Sequence, residues 1–182
     1  LKKTPKVLKS LEEEIEHQLL KIKESGIKIS HIDGHEHVHI IPSINKIVRK
    51  LAEKHKIERV REINENLFES IKFNGSTTNL SNVVKLLLLK TLSLFNQEDK
   101  NVGFYCMLNT CDIRTGNLFK FLKESKSYDV VEIMLHPSIR NIDSESYLKT
   151  LDPRFVSFFN DDSRTTEFEL CFDRQFEDYQ RL

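Results

Sequence analysis

Residues 31–42 read His31-Ile32-Asp33-Gly34-His35-Glu36-His37-Val38-His39-Ile40-Ile41-Pro42, and this stretch limits what the chain can fold into. It holds four of the seven histidines within nine residues. Before it stands Ile27-Lys28-Ile29-Ser30, whose alternation predicts a strand; after it, Pro42-Ser43 predicts a helix start. A strand, a polar turn and a helix make a βα unit. Metal-competent side chains just past the C-terminal end of a strand are where α/β folds keep their sites.

The remaining periodicity extends that pattern. Leu8, Leu11, Ile15, Leu19 and Ile22 recur at helical spacing over Pro5–Ser25, with Thr4 as cap, Pro5 in the first turn and Gly26 as stop. Strands are expected at about 27–32, 58–62, 102–108 and 129–135, and helices at 43–54, 78–95, 115–124, 144–151 and 163–181. The second helix points Ile44, Ile47, Val48 and Leu51 inward. The third is expected to bury one broad face, and the last to turn Phe168, Cys171, Phe172 and Phe176 inward. Residues 63–77 read as a polar loop containing the Asn74-Gly75-Ser76 turn. Alternation of this kind predicts an α/β fold with parallel strands over a single domain, 1–182. Four strands cannot close a barrel alone, so part of a larger barrel is expected.

Charge narrows the function. Acidic and basic residues balance at 28 each, so no net field favours nucleic acid or an anionic membrane. The three cysteines, Cys106, Cys111 and Cys171, show no CxxC spacing and suit free thiols in a reducing compartment, hence a cytoplasmic location. Val83–Leu89 is too short to span a bilayer and carries Lys85, so a buried helix is expected there.

Imidazole is the commonest zinc ligand, and carboxylates can join it. Along a continuous strand His31, Asp33, His35, His37 and His39 would share one side. Gly34 breaks that regularity, so one or two of them are expected to face the site while the others support it. His136-Pro137 follows the strand Val130–Met134; its imidazole either suits general acid or base work or stands as a plain surface-loop histidine. Arg61 and Glu62 end another strand, either orienting substrate or standing as plain strand-end charges. Glu132 lies within a strand, paired in the interior or facing the site. Arg164 and Glu167 read as a surface ion pair at helical spacing. His17 and His55 lie on polar helix faces and carry no assigned role.

These residues resemble the YdjC-like carbohydrate deacetylases, which include the chitooligosaccharide deacetylases. His31 to His39 with Pro42 is similar to the family block H-[LI]-D-S-H-x-H-V-H-x-x-P. Val60-Arg61 resembles its next strand, and Val131-Glu132-Ile133-Met134-Leu135-His136-Pro137 resembles its E-[LI]-M-x-H-P-G block. The helix opening Thr115-Gly116-Asn117-Leu118 also fits. The resemblance implies a distorted β/α barrel and a hydrolase removing acetyl from an N-acetylated sugar or oligosaccharide. A divalent ion, Mg or Zn, would activate water and polarise the carbonyl. By the same resemblance His35 is the metal ligand and His136 the proton donor to the leaving amine. Asp33, His37, His39 and Arg61 shape the site or bind substrate.

Three departures accompany the resemblance. Ser138 stands where glycine is usual, and Gly34 where serine is. The family's opening Asp-Asp-Phe-Gly strand and its Gly-x-His-x-x-Leu strand have no counterpart; Asp161-Asp162 reads as a helix cap. The chain therefore resembles the C-terminal two-thirds of such an enzyme. It is expected to be weakly active or inactive alone, with a homo-oligomer or a separately encoded N-terminal segment as protein partner. The competing reading is a non-catalytic metal- or sugar-binding module. A phosphate- or amide-directed metallohydrolase on a similar barrel ranks lower, since no Gly-rich phosphate loop appears.

Overall fold

A computed structural model describes residues 4–75, 79–94, 96, 101–110, 112–124, 128–139, 150–153, 156, 161–177 and 179. The chain divides into two compact units: Leu1–Ile63 with Leu87–Asp99, and Asn64–Leu86 with Lys100–Leu182.

In the first unit, helix α1 (Pro5–Glu24) starts where Thr4 accepts the Val7 N–H and stops where Gly26 takes a positive φ of 80°. Strand β1 (His31–Ile32) pairs in parallel with β2 (Arg59–Val60), in the register His31 to Arg59 and Ile32 to Val60. Between them lie a tight histidine turn, His35–Ile40, and helix α2 (Pro42–His55). The core is Leu19, Ile32, Ile47, Val48, Leu51, Ala52 and Ile57, with Leu8, Leu11, Ile15 and Ile44 packed against it. The helical spacings in the sequence thus find each other across α1, α2 and β1. His55 is tied down too, its Nε2 lying 2.9 Å from a Glu16 carboxylate oxygen.

In the second unit, helix α3 (Leu67–Asn74) replaces the expected polar loop. Asn66 caps it, accepting the Phe68 and Glu69 N–H groups at 3.0 and 3.2 Å. Asn74, expected in a turn, ends the helix buried, its Oδ1 accepting from the Tyr105 hydroxyl. Strand β3 (Val102–Tyr105) pairs in parallel with β4 (Val130–Ile133), Val102 to Val130 through Tyr105 to Ile133, flanking helix α5 (Thr115–Glu124). Tyr105 stacks on Phe121 of α5, 4.4 Å between ring centroids, in a core shared with Cys106, Ile113, Leu118 and Leu170. Helix α4 (Leu80–Ser93) begins in this unit and ends in the first.

Several expectations are corrected. The strands are shorter than the alternation predicts, because pairing lasts only while two segments run side by side: Ile27 is 61% exposed, ahead of the ladder. The described residues form two separate two-stranded parallel sheets, so the expected barrel sheet is not seen among them. On α4, Leu86 is fully buried, but Leu80, Val84, Leu87 and Leu88 are each more than half exposed, so the broad buried face does not hold there. The closing helix is two pieces, α6 (Asp162–Leu170) and α7 (Arg174–Glu177). Phe172 is exposed, and α6 turns Arg164, Glu167 and Leu170 inward instead. Asp161 caps α6 by accepting the Ser163 N–H, as read. The expected helix over 144–151 falls mostly outside the described residues, as do Cys111, Ser76 and the Phe176 side chain. Cys106 and Cys171 are free thiols. Among the described residues no helix is long and apolar enough to cross a membrane.

Candidate functional site

Past β1 the chain neither continues as a strand nor loops loosely. Gly34 is extended, and then two consecutive non-glycine residues, Glu36 and His37, take left-handed φ values of 52° and 56°. Each such residue costs about 1–2 kcal/mol, a strain that persists only where surrounding bonds impose it.

His39 supplies those bonds. It is 2% exposed, and its Nδ1 accepts the Gly34 N–H at 2.9 Å. With Nδ1 an acceptor, the ring proton is on Nε2, which donates to the Arg61 carbonyl at 2.9 Å. Burial pushes the His39 pKa down, while the hydrogen bond to the Arg61 carbonyl and the Asp33 charge oppose it. The ring is thereby held neutral, the state its bonding requires. Asn45 of α2 donates to the His39 carbonyl at 3.1 Å and accepts from Arg49 Nε at 2.9 Å. Arg49 in turn pairs with Glu62. One histidine thus staples the turn to the end of β2 and to α2.

The Arg61 guanidinium pairs with the Asp33 carboxylate, joining the C-terminal ends of the two paired strands. Asp33 Oδ1 also lies 3.6 Å from His39 Nδ1. The Arg61 N–H donates to the Ile32 carbonyl at 2.9 Å, which fixes the arginine at that rim. The His37 ring sits edge-on to His39, 6.3 Å between centroids. Burial pushes the His37 pKa down, so its imidazole favours the neutral form. His35 and Glu36 are exposed at the start of the turn. The structure therefore brings Asp33, His37, His39 and Arg61 together around the turn that carries His35.

The described residues do not fit the divalent ion the resemblance implies. No three His, Cys, Asp or Glu side chains among them form a metal-holding group. Both His39 nitrogens are committed to backbone groups, and Asp33 is taken by Arg61.

His136 belongs to the second unit. It follows β4, as read, but its neighbours differ from expectation. Arg164 and Glu167 are not a surface pair: they are 8% and 0% exposed and grip the His136 backbone. Glu65, unremarked in the sequence, is fully buried. It accepts the Met107 N–H at 2.7 Å, the Leu108 N–H at 3.3 Å and the Ser70 hydroxyl at 2.6 Å, holding the turn after β3. Burial raises the Glu65 and Glu167 pKa values against those hydrogen bonds. Helical spacing to Leu170 could have marked Arg164 and Glu167 as inward; no local signal marks Glu65.

A family model described as YdjC-like protein matches residues 2–181. A protein of Clostridium beijerinckii named carbohydrate deacetylase is 26% identical over 147 residues, covering 80% of this chain and 58% of that protein. One of Brevibacillus brevis with the same name is 27% identical over 132 residues, covering 72% and 44%. The chain thus spans less than two thirds of the length of either relative.

Proposed function

The chain belongs to the YdjC-like family, and from that premise we propose that it serves the hydrolytic removal of acetyl from an N-acetylated carbohydrate. In that reaction water adds to the acetyl carbonyl carbon, the C–N bond breaks, and the amine nitrogen takes up a proton.

The observation that carries the reading is the strained, stapled turn after β1. Left-handed backbone at Glu36 and His37, imposed by His39, is the form in which folds store strain at functional sites. The names of the two relatives support the chemistry. In this reading Asp33, His35, His37 and Arg61 of the first unit serve the amide and its sugar, and the family resemblance gives His136 the role of proton donor to the leaving nitrogen. A divalent ion belongs to this reading only with ligands the described residues do not supply. Acetate release from N,N′-diacetylchitobiose, lost in His35→Ala and His136→Gln, is the expected result. Release unchanged in both variants overturns it.

The second reading is a non-catalytic sugar-binding module. The commitment of Asp33 and His39 to internal bonds, rather than to an open ligand set, favours it. Saturable binding of the same disaccharide with no acetate release would decide for it.

A further inference from the structure

We propose that Arg164 and Glu167 are positioning residues for His136: from one face of α6 they clamp both backbone polar groups of that histidine and so aim its imidazole. The inference rests on the reading of His136 as proton donor.

The geometry is specific. The His136 N–H donates to Glu167 Oε2, and the His136 carbonyl accepts from Arg164 Nε at 2.9 Å. Two residues on, the Ser138 N–H donates to the Arg164 carbonyl at 3.1 Å. Before it, the Met134 N–H still bonds the Tyr105 carbonyl, the last rung beside β3. The chain thus leaves sheet bonding after Met134 and passes into the grip of α6 by His136. Fixing the N–H and C=O of one residue fixes the peptide planes on either side of it. That sets its Cα–Cβ direction, and hence where the ring can reach.

The choice of residues argues against a plain tether. A backbone carbonyl or a water could satisfy one N–H at low cost. Here the fold buries a guanidinium and a carboxylate to do it, against the cost of taking both ions out of water. Burial raises the Glu167 pKa, while the His136 N–H and the Arg164 charge act the other way. Glu167 Oε1 is also buried, with no hydrogen-bond partner among the described residues.

The test follows the ring itself, in chain labelled with 13Cε1-histidine, the His136 signal being assigned by its loss in His136→Gln. In Glu167→Ala and Arg164→Met the His136 signal is expected to shift and broaden while the other histidine signals stay. In Glu167→Gln, whose side-chain carbonyl still accepts the N–H, the parent signal returns. Acetate release from N,N′-diacetylchitobiose is expected to lose about 10–100-fold in kcat in the first two variants, with KM unchanged. Arg164→Met keeps the length and apolar stem of the side chain, so it carries the test if Glu167→Ala fails to fold. An unmoved His136 signal in a folded variant overturns the clamp. A moved signal with acetate release indifferent to His136→Gln overturns the proton-donor reading and leaves the clamp standing.

Discussion

His39 Nε2 donates to the backbone carbonyl of Arg61 at 2.9 Å, twenty-two residues along the chain. The contact ties the turn after β1 to the end of β2, while Nδ1 of the same ring accepts the Gly34 N–H. His39→Ala removes both bonds from a buried site and leaves their partners unsatisfied. A loss of about 2–4 kcal/mol is expected in urea unfolding. A loss below about 0.5 kcal/mol would mean the turn holds itself.

Acid should loosen this staple. His39 has a folded pKa below its ordinary value near 6.5, so its contribution to stability is complete above that value. It is lost as pH falls through the folded value, where protonated Nδ1 can no longer accept from Gly34. Glu65 and Glu167, raised by burial, act with the opposite sign: their contribution is present at acid pH and lost as pH rises. The readout is therefore the difference between parent and His39→Ala. The gap in Tm should narrow from pH 7 to pH 5; a constant gap would contradict the assigned ring state.

Gly34 tests the same turn from its other side. A Cβ built there would lie 2.9 Å from His39 Nδ1 and 3.2 Å from the His39 backbone nitrogen. Gly34→Ser, which brings in the residue usual in the family block, should cost about 1–3 kcal/mol in this chain. In a His39→Ala background most of that cost should vanish, a coupling that a double-mutant cycle measures.

Calorimetry with Zn and Mg should find dissociation constants no tighter than roughly 10 μM, since a catalytic site needs about three protein ligands and the described residues assemble no such group. His35→Ala should weaken whatever binding there is. Submicromolar affinity would show that a full ligand set exists in the chain.

Asn66→Ala should lower stability by about 1 kcal/mol, because the side chain satisfies two N–H groups at the start of α3. An unchanged urea midpoint would place those groups on water instead.

The sequence by itself determined the elements with strong periodicity: α1, α2 and α5 lie where their apolar spacing puts them, since a helix face is written in residues three and four apart. It also marked the histidine turn and His136, because chemistry-bearing side chains at strand ends are local features. It missed α3, although Asn66 followed by Leu67 and Glu69 is a readable cap signal. The tertiary structure alone decided which histidine holds the turn. His31, His35, His37 and His39 are equivalent as letters, and only the fold places the Gly34 N–H and the Arg61 carbonyl at the two nitrogens of one of them. It likewise turned Arg164 and Glu167 from an expected surface pair into buried groups holding His136. The Arg61 carbonyl lies twenty-two residues from His39, and Arg164 and Glu167 lie twenty-eight and thirty-one from His136; partners at that separation leave no trace in local spacing.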